Sequence, residues 1–290
     1  MKITNKFNVP ETLFALASRD SYSKGKADYS VTEIISPPRI QRLRETHWHE
    51  LEQDVADMLW SLLGSALHVV AERSQVANHT TEERLYVKLN GVTLSGAIDL
   101  QHDTGDGIII TDYKFTSAWA VRSDKPEWEQ QQNIYKYLVE TVKHTPVKAL
   151  RICALIRDWS RREAAAKPDY PQSPIQIVEL PMWTHQEAEA FIKERLELHR
   201  IAKVASDWGE ELPACSEEDR WQRDTAYAVK RKDRKRAIRI FATCEEAEMY
   251  AADVQDGYVE TRLGEPVRCT GNFCGVAKWC TQFKQENNDE

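Results

Sequence analysis

The sequence predicts an α/β protein with a cysteine-bearing C-terminal part. Three observations support this class. Short strand-like segments follow one another over residues 84–114, segments with helical periodicity lie on both sides of them, and three cysteines fall within twelve residues near the end. The chain has 290 residues, of which 41% are hydrophobic and 29% charged. This is a globular composition, and the length suits one large domain or two small ones.

The N-terminal part predicts helices. Ser30-Val-Thr-Glu33 has the spacing of a capping box, so a helix should begin there and end before Pro37 and Pro38. Apolar residues then recur at helical spacing from about Trp48 to Arg73, which predicts one long, partly buried amphipathic helix.

The middle of the chain predicts a sheet. Residues 84–89 and 92–100 read as strands joined by Asn90-Gly91, a strong signal for a two-residue hairpin turn. After a Gly- and Asp-rich turn, residues 108–114 predict a third strand.

In the rest of the chain, predicted helices and strands alternate up to about residue 210, and the predicted elements become shorter after that. We expect helices over 127–142 and 184–205, and strands over 149–157 and 175–180. After Pro213 come shorter strands over 227–230 and 237–241, a helix over 245–254 and the cysteines. The predicted division is a helical region at 1–47, a core at 48–210 and a basic, cysteine-rich subdomain at 211–290.

Composition excludes several classes of protein. No apolar run reaches the roughly 18 residues that span a bilayer, and the N-terminus lacks the apolar core of a signal peptide. Six cysteines are too sparse for a disulfide scaffold. We therefore expect a soluble, cytoplasmic protein without a membrane partner. The net charge of −7 argues, as an average, against a nucleic-acid partner.

Chemistry is concentrated around the third strand. Asp112 and Lys114 should point to the same side of it, and the preceding turn can bring Asp99 close to Asp112. Two carboxylates and a lysine suit metal-assisted phosphodiester hydrolysis, because carboxylates bind Mg²⁺ or Mn²⁺ and the lysine stabilises developing negative charge. The alternative is a surface hairpin with solvated Asp and Lys.

Two helical features extend this pattern. His68 and Glu72 lie four residues apart on the long helix, so Glu72 is a candidate partner of His68. Gln131 and Tyr135 share one face of the next helix. Each feature alone also fits an ordinary amphipathic helix.

Together the order is G-x-x-L-H at 64–68, G-x-I-D at 96–99, D-Y-K at 112–114 and Q-x-x-x-Y at 131–135. This order resembles the RecB-type branch of the PD-(D/E)XK nuclease superfamily. The resemblance implies a restriction-endonuclease-like core with a central mixed sheet flanked by helices. It also implies that His68, Asp99, Asp112 and the backbone carbonyl of Tyr113 bind Mg²⁺ or Mn²⁺. Lys114 would be the catalytic lysine, and Gln131 and Tyr135 the accessory motif.

The cysteine tail indicates a second metal site. Cys269, Cys274 and Cys280 need a fourth ligand, for which Cys215 is the first candidate and Cys244 the reserve, while Cys153 lies in a strand pattern. Several RecB-type nucleases carry a [4Fe–4S] cluster on four cysteines, and this tail resembles that device. The gap between Cys269 and Cys274 is longer than usual, and Cys215 follows the core instead of preceding it. Zinc and unligated thiols therefore stay open.

Positive charge is local. The strongest concentration, proposed as a nucleic-acid-binding segment, consists of Lys230, Arg231, Lys232, Arg234, Lys235 and Arg236. A second group around Trp159 consists of Arg157, Arg161, Arg162 and Lys167, and a third of Arg39, Arg42 and Arg44. Basic groups beside aromatics suit single-strand binding, whereas a solvated hairpin tip is the alternative for the first group.

The sequence therefore predicts a metal-dependent DNA nuclease, foremost an exonuclease on single strands or duplex ends, in phage or bacterial replication and recombination. A structure-specific or restriction-like endonuclease is one alternative, and a non-catalytic DNA-binding or adaptor protein is another. The chain has no G-x-x-x-x-G-K-[ST] loop, so a helicase motor would belong to a separate helicase or recombination protein.

Overall fold

The structure, a computed structural model, describes residues 1–19 and 23–288. It divides into two compact units. Unit 1 contains Met1–Ser36 and Trp48–Val204, and unit 2 contains Pro37–His47 and Ala205–Glu290. The three-part division expected from the sequence stays a prediction.

The strands and helices are numbered along the chain. The strands are β1 (Lys2–Thr4), β2 (Tyr29–Ser30), β3 (Glu52–Asp54), β4 (His79–Leu89), β5 (Val92–Asp103), β6 (Ile108–Thr116), β7 (Val147–Ile156), β8 (Ile175–Leu180), β9 (Ala226–Arg231), β10 (Arg239–Phe241) and β11 (Gly257–Arg262). The α-helices are α1 (Glu11–Ala17), α2 (Val31–Ile35), α3 (Pro38–Thr46), α4 (Leu59–Glu72), α5 (Ala118–Arg122), α6 (Pro126–Lys143), α7 (Arg161–Ala166), α8 (His185–Trp208), α9 (Glu217–Arg220), α10 (Cys244–Ala252), α11 (Val267–Thr270) and α12 (Thr281–Asn288).

Unit 1 is built on a six-stranded mixed sheet. The strand order is β2-β5-β6-β7-β8, and β4 pairs with β5. The pairs β2/β5 and β6/β7 are parallel, whereas β4/β5, β5/β6 and β7/β8 are antiparallel. Helix α6 contacts β4, β5, β6 and β7, and α4 contacts β4 and β6. A mixed central sheet flanked by helices confirms the predicted α/β class.

The hairpin of β4 and β5 has the predicted two-residue turn. Asn90 and Gly91 both take left-handed backbone angles, with φ of 48° and 82°. That combination matches the type I′ turn, whose twist fits the flanking strands. The turn sets the register along the hairpin, beginning with the pair Leu89 and Val92.

The core of unit 1 lies between α6 and the sheet. Ile134 and Leu138 of α6 are fully buried in one cluster with Leu94 and Ile98 of β5 and Ile110 of β6. Burying each such side chain contributes about 1.5–3 kcal/mol relative to leaving it exposed. This packing fixes α6 against the strands that carry the D-Y-K and G-x-I-D segments.

The capping box predicted at Ser30 is present. The Glu33 amide donates to Ser30 Oγ at 3.2 Å, and the Ser30 amide donates to Glu33 Oε2 at 2.6 Å. Helix α2 ends at Ile35, before Pro37 and Pro38, as the sequence predicts.

The long helix predicted from Trp48 is shorter in the structure, and the prediction of its start is wrong. Residues Trp48–Glu50 form a 3₁₀ turn, β3 follows, and α4 begins only at Leu59. Asp54 interrupts the helical pattern, because its carboxylate accepts hydrogen bonds from Thr4 Oγ1 at 2.8 Å and from the Ala56 amide at 3.0 Å. No residue of α4 is fully buried.

The segment Val55–Glu72 also corrects the expectation about apolar runs. Its 18 residues have a mean hydropathy of 1.2, which by length and composition alone is enough to cross a membrane. One such helix is only a weak indication of a membrane span.

Unit 2 contains a smaller sheet. Strand β9 lies between β10 and β11 and pairs antiparallel with both, and α10 packs against these strands. Ala228 and Val229 of β9 and Ala247 of α10 are fully buried. Of the basic segment over 230–236, Lys230 and Arg231 are the last residues of β9, and the rest lies in the connection from β9 to β10.

Candidate active site

The candidate site lies where β5 and β6 separate. Their antiparallel pairing runs from Asp103 and Ile108 to Leu100 and Thr111 and stops there. Asp99 and Asp112 are the next residues on the two strands, and both are buried. The predicted approach of Asp99 to Asp112 therefore takes place at the fork between two strands, where side chains can point into the gap.

Asp112 and Lys114 meet on one side of β6, as strand alternation predicts. Lys114 Nζ lies 2.7 Å from Asp112 Oδ2. The same ammonium donates to Gln131 Oε1 at 3.2 Å. Lys114 is thus held at the site by one carboxylate and one amide oxygen.

Helix α6 supplies the two accessory side chains. Gln131 Nε2 donates to Asp112 Oδ1 at 3.3 Å and to the Tyr135 hydroxyl at 2.9 Å. Gly96 makes this approach possible, because a Cβ at that position would meet Tyr135 Cε1 at 2.7 Å. The glycine of the G-x-I-D segment therefore has a packing reason: it lets Tyr135 lie against β5.

Asp99 is held by the backbone of the facing strand. Its Oδ2 accepts a hydrogen bond from the Tyr113 amide at 2.8 Å. Burial, followed by repulsion from Asp112, raises the pKa of Asp99 to about 7. His68, the Tyr113 amide and Lys114 act in the opposite direction. Two buried carboxylates that repel each other favour either a shared proton or a bound cation.

His68 of α4 completes the group, with a different partner from the one predicted. Its Nδ1 lies 2.7 Å from Glu82 Oε1 and 3.6 Å from Asp99 Oδ1. The hydrogen bond to Glu82 is the largest cause of the raised pKa of His68. Glu72, the partner expected from helical spacing, is exposed instead.

Glu82 is the functional candidate that sequence reasoning missed. It lies in β4 between Thr81, which pairs with Leu100, and Glu83, which pairs with Ile98, so it stands opposite Asp99. Its φ is 52°, a left-handed value that is uncommon for a residue with a side chain and costs about 1–3 kcal/mol. Counting back from the Asn90-Gly91 turn would have placed Glu82 across from Asp99.

Three of these side chains form a cluster that could hold a metal ion. One ligand atom each of His68, Glu82 and Asp99 lies within 4.8 Å of the others. Carboxylate oxygens suit Mg²⁺ and Mn²⁺, and an imidazole nitrogen adds a preference for Mn²⁺. The donor set and the raised pKa of Asp99 both fit a divalent cation.

The four cysteines predicted as ligands line one pocket in unit 2. Cys215, Cys269, Cys274 and Cys280 share it with Arg39. All four are free thiols, and burial raises the pKa of Cys215 to about 12. The two other cysteines are elsewhere: Cys153 lies on β7, and Cys244 begins α10, where its Sγ contacts Glu248 Oε1 at 3.5 Å.

Arg39 belongs to this pocket and not to an exposed basic surface. It is 3% exposed, and its Nη1 lies 3.7 Å from Cys280 Sγ and 3.0 Å from Thr281 Oγ1. Its Nε donates to the Pro213 carbonyl at 3.0 Å. The prediction that Arg39 belongs to a third exposed basic group is therefore wrong, because its guanidinium is buried and hydrogen-bonded inside unit 2.

The charge of the basic segment over 230–236 is partly neutralised. Lys230 pairs with Glu260 at 2.8 Å, and Arg231 pairs with Asp233. The remaining four cations are exposed and form no ion pair with another described residue; these are Lys232, Arg234, Lys235 and Arg236. The segment keeps a positive tip available to solvent.

Comparison with known proteins places the chain in a family. The family model of the PD-(D/E)XK nuclease superfamily matches residues 16–281. A search of curated proteins finds no match.

Two solved structures are among those to which the chain is weakly similar. A protein named SSO0001 is 17% identical, with a TM-score of 0.39 over 64% of this chain and 82% of its own. A candidate exonuclease from Eubacterium rectale is 12% identical, with a TM-score of 0.29 over 54% of this chain and 57% of its own. At these scores the assignment rests on the family match alone. Because that match extends over most of the sequence, the chain belongs to the PD-(D/E)XK nuclease superfamily.

Proposed function

We propose that the chain is a Mg²⁺- or Mn²⁺-dependent DNA nuclease, foremost an exonuclease acting on single strands or duplex ends. The observation that carries the proposal is the meeting of two groups at one strand fork. The His68–Glu82–Asp99 cluster provides cation ligands, and the Asp112–Lys114 pair lies beside it. Cation ligands beside an ammonium group suit metal-assisted hydrolysis of a phosphodiester.

In this proposal His68, Asp99 and Asp112 hold the cation, with the backbone carbonyl of Tyr113 as a further ligand. Glu82 joins them, either on the cation or through its hydrogen bond to His68. Bound there, a divalent cation lowers the pKa of a water ligand and stabilises negative charge on the phosphate.

Lys114 has the catalytic role among the protein's own groups. Its ammonium, 2.7 Å from Asp112, is placed to orient the attacking water and to stabilise the charge that develops on the phosphate oxygens. Gln131 positions Lys114 and Asp112 at once through its amide oxygen and nitrogen. Tyr135 fixes the rotamer of Gln131 by accepting from its amide.

Lys114→Ala tests the site directly. We expect this variant to lose cleavage of labelled DNA in Mg²⁺ or Mn²⁺ while it still binds DNA. Lys148→Ala is the matched control. Lys148 is an exposed lysine near the start of β7, away from the site, and its ammonium pairs with Asp106 at 2.8 Å. Cleavage that survives in Lys114→Ala would show that the site assignment is wrong.

The same assay separates the alternatives. An exonuclease degrades linear single strands and leaves a closed circle intact, whereas an endonuclease opens the circle. A non-catalytic adaptor cleaves neither with any metal. Strands labelled at the 5′ or the 3′ end then give the polarity.

For substrate binding we propose the exposed cations of the segment from Lys230 to Arg236 as a phosphate contact. Lys232, Arg234, Lys235 and Arg236 form no ion pair with described residues, which leaves their charge available to DNA. A separate helicase or recombination protein in a bacterial or phage-infected cytoplasm is the context we propose.

For unit 2 we propose a [4Fe–4S] cluster on Cys215, Cys269, Cys274 and Cys280, with zinc as the alternative. Two observations support a metal group there. Four free thiols line one pocket, and the buried guanidinium of Arg39 lies beside Cys280, where it would stabilise thiolate charge.

A further inference from the structure

Two tryptophans of unit 1 are exposed and carry a cation over their rings. Trp60 of α4 is 44% exposed, and the guanidinium carbon of Arg157 lies 5.0 Å from its ring centre. Trp119 of α5 is 67% exposed, and Lys125 Nζ lies 4.7 Å from its ring centre. These two cation–aromatic pairs have no part in the site described above.

Residues of both pairs, or their neighbours, form hydrogen bonds at the C-terminal end of β6, the strand that carries Asp112 and Lys114. The Arg157 amide donates to the carbonyl of Thr116, the last residue of β6, at 2.9 Å. The Ala118 amide, next to Trp119, donates to Asp158 Oδ1 at 2.7 Å. Thr116 is two residues beyond Lys114, or about 7 Å along an extended strand. The two pairs therefore lie near the C-terminal end of the strand that carries Asp112 and Lys114.

Packing does not account for these tryptophans. Trp128, nine residues after Trp119, is 8% exposed and belongs to a hydrophobic cluster with Ala120 and Ile152, which is the ordinary use of such a side chain. Trp60 and Trp119 instead leave much of their apolar surface in water. A cation over an aromatic face in water adds little to the stability of a protein, so stability alone is a weak reason for either pair.

Further positive charge lies nearby. Arg161 and Arg162 begin α7, four and five residues after Arg157, and both are exposed. Neither forms an ion pair with another residue in the described part of the chain. Exposed aromatic faces beside unneutralised cations are the combination that binds unpaired bases and a phosphate backbone together.

We propose that Trp60 and Trp119 stack on the bases of a single strand that passes the active site, while Arg157, Arg161 and Arg162 contact its phosphates. The substrate class is then single-stranded DNA, or the unpaired end of a duplex, because bases inside a duplex stack on one another and their faces are covered. This proposal rests on the proposed nuclease function and deepens it.

Binding tests the proposal without cleavage. A fluorescein-labelled oligothymidine of twenty nucleotides is titrated with the protein in EDTA, and anisotropy gives Kd. Trp60→Ala and Trp119→Ala should each weaken binding about 10-fold, since each variant removes one ring on which a base stacks. Trp60→Phe and Trp119→Phe should recover most of the affinity, because a phenyl ring still stacks.

Two controls separate stacking from unfolding and from general charge. Trp208→Ala removes a tryptophan that is 79% exposed and should leave Kd unchanged. The affinity of the protein for a blunt duplex of the same length should fall less than twofold on either alanine substitution. Thermal unfolding midpoints of the variants should equal that of the wild type, since both rings are exposed.

The outcomes distinguish this proposal from the proposed function. Unchanged single-strand affinity in both alanine variants overturns the stacking proposal, and so does an equal loss on the duplex. In either case the nuclease function stands if Lys114→Ala abolishes cleavage. If Lys114→Ala cleaves as the wild type does, the proposed site fails whatever the tryptophan variants show.

Discussion

His68 and Glu82 are joined by a 2.7 Å contact between Nδ1 and Oε1, although they lie on different elements, α4 and β4. Glu82 takes a left-handed backbone conformation opposite Asp99. A strained residue held beside a buried carboxylate and an imidazole indicates a functional constraint. The contact orients the imidazole toward Asp99, whose Oδ1 is 3.6 Å from the same nitrogen.

Glu82→Gln should reduce Mn²⁺ affinity and cleavage about 10- to 100-fold, the usual cost of losing a carboxylate that holds or orients a metal ligand. The amide keeps the size of the side chain but loses the charge. Isothermal titration with Mn²⁺ and a cleavage assay measure both effects. Glu72→Gln is the matched control on α4. Equal losses in the two variants would contradict the role given to Glu82.

The pH dependence of stability should report Asp99. Its pKa of about 7 exceeds the ordinary 3.8, so the folded state binds this proton more tightly than the unfolded state. The resulting stabilisation is complete below about pH 4 and is lost as the pH rises through 7. In EDTA, the unfolding midpoint of the wild type should therefore fall relative to that of Asp99→Asn between pH 4 and 8.

Mn²⁺ provides the control for that measurement. At pH 8 it should raise the midpoint of the wild type, because the cation takes the place of the proton between the carboxylates, and it should raise that of Asp99→Asn much less. Parallel pH profiles for the two proteins would contradict the assignment.

Much of the fold could be predicted because its signals are local. The turn at Asn90-Gly91, the capping box at Ser30 and the spacing of Asp112 and Lys114 each depend on a few adjacent residues, and the structure agrees with all three. The helical pattern before Leu59 gave a wrong prediction of where the helix begins. Periodicity carries no information about the side-chain hydrogen bonds of Asp54, which stabilise a strand and a 3₁₀ turn there.

The candidate site was predictable in part for a similar reason. Asp99, Asp112, Lys114, Gln131 and His68 lie in short motifs, and the structure brings them together. Glu82 lies in no such motif, and its place follows only from the hairpin register. The proximity of Glu72 along α4 gave the wrong partner, since helical spacing shows which residues share a face but not what lies opposite.

Gln132 offers a test of packing beside the site. It is fully buried on α6, and neither its amide nitrogen nor its amide oxygen has a hydrogen-bond partner in the described part of the chain. Gln132→Met should raise the free energy of unfolding by about 1–3 kcal/mol, because burying an unpaired polar group carries that cost. Gln130→Met, at a half-buried position, is the control. Urea unfolding compares the two, and a destabilised Gln132→Met would indicate an undetected partner.

Cys274 tests the proposed metal group of unit 2. It is buried in the pocket that Cys215, Cys269 and Cys280 also line. Protein purified without oxygen should be brown and contain about four iron atoms per chain if a [4Fe–4S] cluster is bound. Cys274→Ser should lose the colour, the iron and stability, because the cluster ties α11 to the segment around Cys215 within the unit. Cys244→Ser should keep all three, since Cys244 lies outside the pocket.

Colourless wild-type protein with one zinc per chain would show that the site holds zinc instead of the cluster. Colourless protein without metal would show that the four thiols bind neither, which would contradict the proposed metal group.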